Sequence, residues 1–101
     1  MRMYGNPQRL AAAEVQELRR EGGRWLKERR EKVGLSQRRL AELVGAEYYT
    51  FISQLETGRG RIPPDRYRLW AQALRMSPKE FVRNILRFYD PVTYGILFDG
   101  D

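Results

Sequence analysis

Hydrophobic positions recur at helical spacing along most of this chain. In residues 65–75, Tyr67, Trp70, Ala71 and Leu74 follow the i, i+3, i+4, i+7 spacing of one helix face. Residues 78–89 repeat the pattern with Phe81, Val82, Ile85 and Phe88 or Tyr89. They follow Ser77-Pro78-Lys79-Glu80, a capping box with proline at the first helical position. A helix over 37–44 turns Leu40, Leu43 and Val44 inward, with Ser36 as its cap and Gly45 as its stop. Residues 24–33 turn Trp25, Leu26 and Val33 inward, and Gly34 is placed to cap their C-terminus. Asp90-Pro91 opens a last short helix, 91–98. No segment alternates with the period of two of a half-buried strand, so the pattern predicts an all-α protein.

Two stretches are less regular. Asn6-Pro7 has the form of a helix start, and residues 7–21 are rich in good helix formers. Gly22-Gly23 either ends that helix or only weakens it, since Leu18, Trp25, Leu26 and Val33 keep helical phase across the pair. One long helix and two short ones are both compatible with this pattern. Residues 58–64, GRGRIPP, read as a loop.

The helix expected over 48–57 has two unlike faces. At about 100° per residue, Tyr48, Phe51, Ile52 and Leu55 share one arc. Tyr49, Thr50, Ser53, Gln54 and Thr57 fall on the other side. The first arc can seat the helix on a core. The second offers short hydrogen-bonding side chains, the kind that read base edges in a major groove.

Composition narrows the chemistry. The 101 residues suit one compact domain and carry a formal net charge of +6, most of the cations being Arg. Such a field attracts anions, and guanidinium favours forked contacts to phosphate. With neither Cys nor His, the chain offers no disulfide, no thiolate or imidazole catalyst and almost no means of holding a transition metal. Carboxylates such as Glu42, Glu47 and Glu56 show no acid–base pairing, so neither enzymatic activity nor a cofactor or metal is expected. Without an apolar run of about 20 residues or a signal sequence, the expectation is a soluble cytoplasmic protein with no membrane partner.

The string LSQRRLAELVG followed by ISQLETG, with Arg30 upstream, resembles the lambda-repressor-like, or XRE-type, helix-turn-helix family over residues 24–74. The resemblance implies a five-helix DNA-binding domain at 23–89 with its helix-turn-helix at 36–57. Here it carries an added N-terminal helix (1–22) and a short helical tail (90–101). It implies base contacts from Tyr49, Thr50, Ser53 and Gln54. Ser36, Gln37, Thr57, Arg59 and Arg61 would contact phosphate, and Arg38 and Arg39 could add charge beside them. Arg30 and Glu56 match the family's partly buried ion pair. The chain has one residue more than usual between Gly45 and Ile52, which either lengthens the turn or starts the helix one position early. Tyr48 and Tyr49 therefore compete for the first base-contacting position, and counting back from Ile52 favours Tyr49.

The family binds double-stranded DNA mostly as homodimers on inverted repeats, which implies a dimer surface in the N-terminal helix, helix 78–89 or the tail. Ile96, Leu97 and Phe98 either cap this chain's own core or pack on a partner. The N-terminal helix could widen a dimer contact, cover the domain, or lie near DNA with Arg19, Arg20 and Arg24. A homodimeric repressor is the first functional reading. An antitoxin-type protein that binds a partner protein through its tail and regulates its own gene is the alternative. Trp25, Tyr67, Trp70, Phe81 and Phe88 read as core, which disfavours an RNA-stacking surface.

Overall fold

The computed structural model describes residues 11–99, and among them it contains helices and no strand. In chain order these are α1 (Ala12–Val33), α2 (Gln37–Leu43), α3 (Thr50–Glu56), a 3₁₀ turn (Pro64–Arg66), α4 (Tyr67–Ala73), α5 (Pro78–Tyr89) and α6 (Pro91–Phe98). The expected Asn6 cap and Pro7 start lie outside the described residues. Ala11 is extended and its N–H donates to Glu14 Oε1 at 3.0 Å, so α1 begins at Ala12.

The glycine pair does not end a helix. α1 runs unbroken through Gly22 and Gly23, and the boundary drawn at residue 22 falls in mid-helix. Both glycines are buried, because neighbouring elements come too close for a side chain. A Cβ on Gly22 would lie 2.9 Å from Phe88 Cβ, and one on Gly23 would lie 2.4 Å from the Glu56 carbonyl oxygen. Two glycines inside a helix cost about 1 kcal/mol each in propensity. Here they let α1 pack against α5 and the last turn of α3.

α1, α2, α3, α4 and α5 enclose one core. Leu26, Leu40, Ile52, Trp70, Leu74, Phe81 and Ile85 are at most 2% exposed. Fully burying each large side chain is worth about 1.5–3 kcal/mol. Trp25 and Tyr67, half-buried, bracket Phe81 with ring centroids 5.8 and 5.9 Å away. Ile62 is fully buried although it sits in the loop between α3 and α4. Its N–H donates to the Tyr89 hydroxyl at 3.2 Å, which ties the loop to the end of α5. Burial pushes the Tyr89 phenol up, so it keeps its proton at neutral pH while accepting that bond.

Arg75, two residues past the end of α4, has a φ of 59° that is unusual for a residue with a side chain. Arg29 of α1 satisfies two carbonyls there, donating to Leu74 O at 2.8 Å and Arg75 O at 2.9 Å. α6 packs on α5, with the Arg83 guanidinium of α5 over the Phe98 ring, and within α6 the Tyr94 and Phe98 rings lie 5.1 Å apart. Asp90 caps α6: its carboxylate accepts from Thr93 N and Thr93 Oγ1. Val92, Ile96 and Leu97 remain exposed, so the last two do not cap the core.

Candidate nucleic-acid interface

The site is built on α2, the following turn and α3. Ser36 is extended and its Oγ accepts from Arg39 N at 3.0 Å, which starts α2 as the sequence predicts. Residues 44–49 make the turn, and α3 starts at Thr50 with Tyr49 as its cap residue. The extra residue before Ile52 therefore lengthens the turn and does not start the helix early.

This corrects the place of Tyr48. Its expected seat in the apolar arc presumed that the helix already existed at residue 48. It lies instead in the turn and is 66% exposed, whereas Phe51, Ile52 and Leu55 do face the core. Tyr48 borders a groove of about 330 Å³ whose other walls include Val44, Phe51, Pro63 and Trp70.

α3 keeps the predicted division of faces. Ile52, Leu55 and Glu56 are buried. Thr50, Ser53, Gln54 and Thr57, at i, i+3, i+4 and i+7, share the opposite face; all are exposed except the half-buried Ser53. Thr57 Oγ1 donates to Ser53 O and Gln54 O, so its hydroxyl already serves the helix end. Tyr49 stands beside this face with the Arg38 guanidinium 4.6 Å from its ring centroid. Arg38 thus brings a cation to the start of α3. Arg39 is turned to Glu42 at 2.9 Å, in a pair whose members are both more than half exposed.

Beneath that face lies the expected ion pair. Arg30 Nε donates to Glu56 Oε2 at 2.6 Å and Arg30 Nη2 to Glu56 Oε1 at 3.1 Å, a forked arrangement with both residues 7% exposed. Arg30 Nη1 also donates to Leu35 O at 2.8 Å, joining α1, the α1–α2 connection and α3. Gln37 Nε2 donates to Glu56 Oε1 at 3.0 Å. One amide hydrogen of Gln37 is thereby committed to the pair, which orients the rest of its side chain at the N-terminus of α2.

The loop after α3 separates the two arginines expected to work together. Arg59 is exposed, and among the described residues no carboxylate pairs with it. Arg61, also exposed, lies with its guanidinium 4.9 Å from the centroid of Tyr89, toward the end of α5. Sequence reasoning missed the Arg29 cap and the burial of Ile62. A lone isoleucine between arginine and proline has no periodicity to betray it, and nothing local points Arg29 at a helix end 45 residues away.

An all-helical domain whose second and third helices present one polar, exposed face over a buried ion pair is a helix-turn-helix domain. The sequence model of the helix-turn-helix family matches residues 26–81, more than half of the chain. The protein belongs to that family, in its XRE-type, lambda-repressor-like form, and is a DNA-binding helix-turn-helix regulator. No curated protein matches the chain. Among the described residues no helix is long and apolar enough to cross a membrane.

Proposed function

We propose that the protein is a sequence-specific repressor that binds an inverted-repeat site in double-stranded DNA as a homodimer, with α3 in the major groove. The carrying observation is the polar row of exposed Thr50 and Gln54 with half-buried Ser53 between them and Tyr49 beside it, on a helix anchored from behind by Arg30–Glu56. Gln54 can bond adenine N6 and N7 in fork geometry, and Thr50 can meet a thymine methyl. Ser36, Gln37, Thr57, Arg38 and Arg59 border that row and would hold phosphate. Arg61 would be a second-rank contact, since its guanidinium stacks on Tyr89. Occlusion of a promoter needs no further machinery, which favours repression over activation.

The exposed Val92, Ile96 and Leu97 support α6 as part of the dimer contact. Three side chains are few beside the roughly 20–30 residues on each side of a standard interface. Association is therefore expected to be weak in solution and completed on DNA. The same apolar patch is the observation that favours the second reading, a tail that binds a different protein.

Selection from a pool of random duplexes at moderate salt tests the proposal. An inverted-repeat consensus, relaxed by Gln54→Ala, is expected. Absence of any consensus, with affinity vanishing as salt rises, would reject sequence-specific regulation. Replacing Ile96 and Leu97 by Asp should abolish cooperative occupation of the two half-sites; unchanged cooperativity would remove α6 from the dimer.

A further inference from the structure

The part of α1 ahead of Leu26 lies outside the helix-turn-helix match; Gly22 and Trp25 pack on α5, while Gly23, Arg20 and Arg19 meet the exit of α3 and the loop that follows. Gly23 meets the last turn of α3 backbone to backbone: a Cβ there would lie 2.4 Å from Glu56 O and 2.6 Å from Leu55 O. Gly58, at φ 92°, rests on α1 in the same manner, and a Cβ on it would lie 2.9 Å from Arg20 Cγ and 3.0 Å from Arg20 Cα. Next to Arg20 on α1, Arg19 Nη1 donates to Gly60 O at 3.3 Å. The Arg19 guanidinium also lies 5.5 Å from the Tyr89 ring centroid, so Arg19 and Arg61 share one aromatic ring.

Arg59 sits between two glycines with left-handed backbones, Gly58 and Gly60. Glycine loses more conformational freedom on ordering than any other residue, so such a segment is costly to order. If left untied, its ordering would have to occur at the moment of DNA binding and would weaken it. α1 ties both glycines in advance, Gly58 by close packing and Gly60 through Arg19.

We propose that residues 12–23 form a strut that positions the phosphate-contacting loop, with Arg19 as the positioning residue for Arg59. The inference rests on the reading of Arg59 as a phosphate contact. Arg19 acts through the loop because its own guanidinium is engaged by Gly60 O and Tyr89.

The test is a double-mutant cycle on the full chain, binding a fluorescent duplex of mixed sequence across a salt series. Mixed sequence suffices because phosphate contacts are sequence-independent. Arg59→Ala is expected to weaken binding about 5–10-fold and to lower the salt slope by about one. Arg19→Ala is expected to weaken binding about 3–5-fold in the native background and less than about twofold in the Arg59→Ala background, the mark of coupled residues. An equal loss from Arg19→Ala in both backgrounds, or no loss at all, overturns the strut. If Arg59→Ala changes neither affinity nor slope, the phosphate-loop reading itself has failed and the strut falls with it. The Arg59→Ala arm thus tells the two failures apart.

Discussion

The two ends of the described chain flank the same helix-turn-helix core and carry glycine to opposite effect. At the N-terminal end, Gly22 and Gly23 lie inside α1 where a methyl group would strike Phe88 and the backbone of Glu56. At the C-terminal end, Gly95 lies inside α6 where a methyl group would meet nothing within 4 Å. The first pair closes a helix onto the exit of the reading helix. The second leaves an open notch beside Val92 and Ile96, which are themselves exposed. One end is closed onto the core; the other presents an apolar surface that packs on nothing among the described residues. A mid-helix glycine is therefore informative only together with what stands opposite it.

The largest expected effect lies where the N-terminal end meets the core. Glu56→Ala would strand the buried Arg30 guanidinium and unseat Gln37, at about 3–5 kcal/mol in a denaturant titration. A loss below about 1 kcal/mol would mean that the pair is far better hydrated than its 7% exposure implies. Gly23→Ala comes next, at about 1–3 kcal/mol, because the opposing atoms are backbone and cannot swing away. A neutral result would erase the contrast between the two ends.

At the tail, Asp90→Ala removes the cap of α6 and should cost about 1 kcal/mol, felt locally as faster amide exchange in residues 92–98. Low pH should mimic it. The Thr93 hydroxyl and N–H hold the Asp90 carboxyl below its usual range, so the folded value is the depressed one. Its contribution is full above the ordinary Asp value of about 3.9 and disappears as pH falls through the lowered value. Protection of the α6 amides, corrected for the intrinsic pH dependence of exchange, that stays constant to the acid limit would show that the cap does not hold the helix. Smallest, and opposite in sign, Gly95→Ala should stabilise the monomer by about 0.5–1 kcal/mol. Destabilisation instead would show that α6 packs more closely than its open notch suggests.

Much of this architecture was legible in the sequence where periodicity and punctuation agree. Ser77-Pro78 and Asp90-Pro91 placed α5 and α6 at their observed bounds, and Gly34 marked the end of α1. The Arg30–Glu56 pair followed from the family resemblance. The failures share a cause, which is that the deciding neighbour is distant along the chain. Gly22-Gly23 needs Glu56 and Phe88 to be understood, and Ile62 needs Tyr89. Tyr48 misled because helical phase was counted back through a residue that belongs to the turn. Arg61 was paired with Arg59 by its loop, whereas the ring that draws it away is at the end of α5.

The seven residues of α3 also limit how much one chain can know about a sequence. At about 1.5 Å per residue the helix is roughly 10 Å long, the length of about three base-pair steps. Three fully specified pairs amount to about six bits, while finding one address among a million or more competing positions requires about twenty. Under the proposed mode of binding, a lone copy would stop at a very large number of sites. Selectivity would then belong to the assembly, and its magnitude would be set as much by how firmly two copies hold their spacing as by any side chain on the reading face.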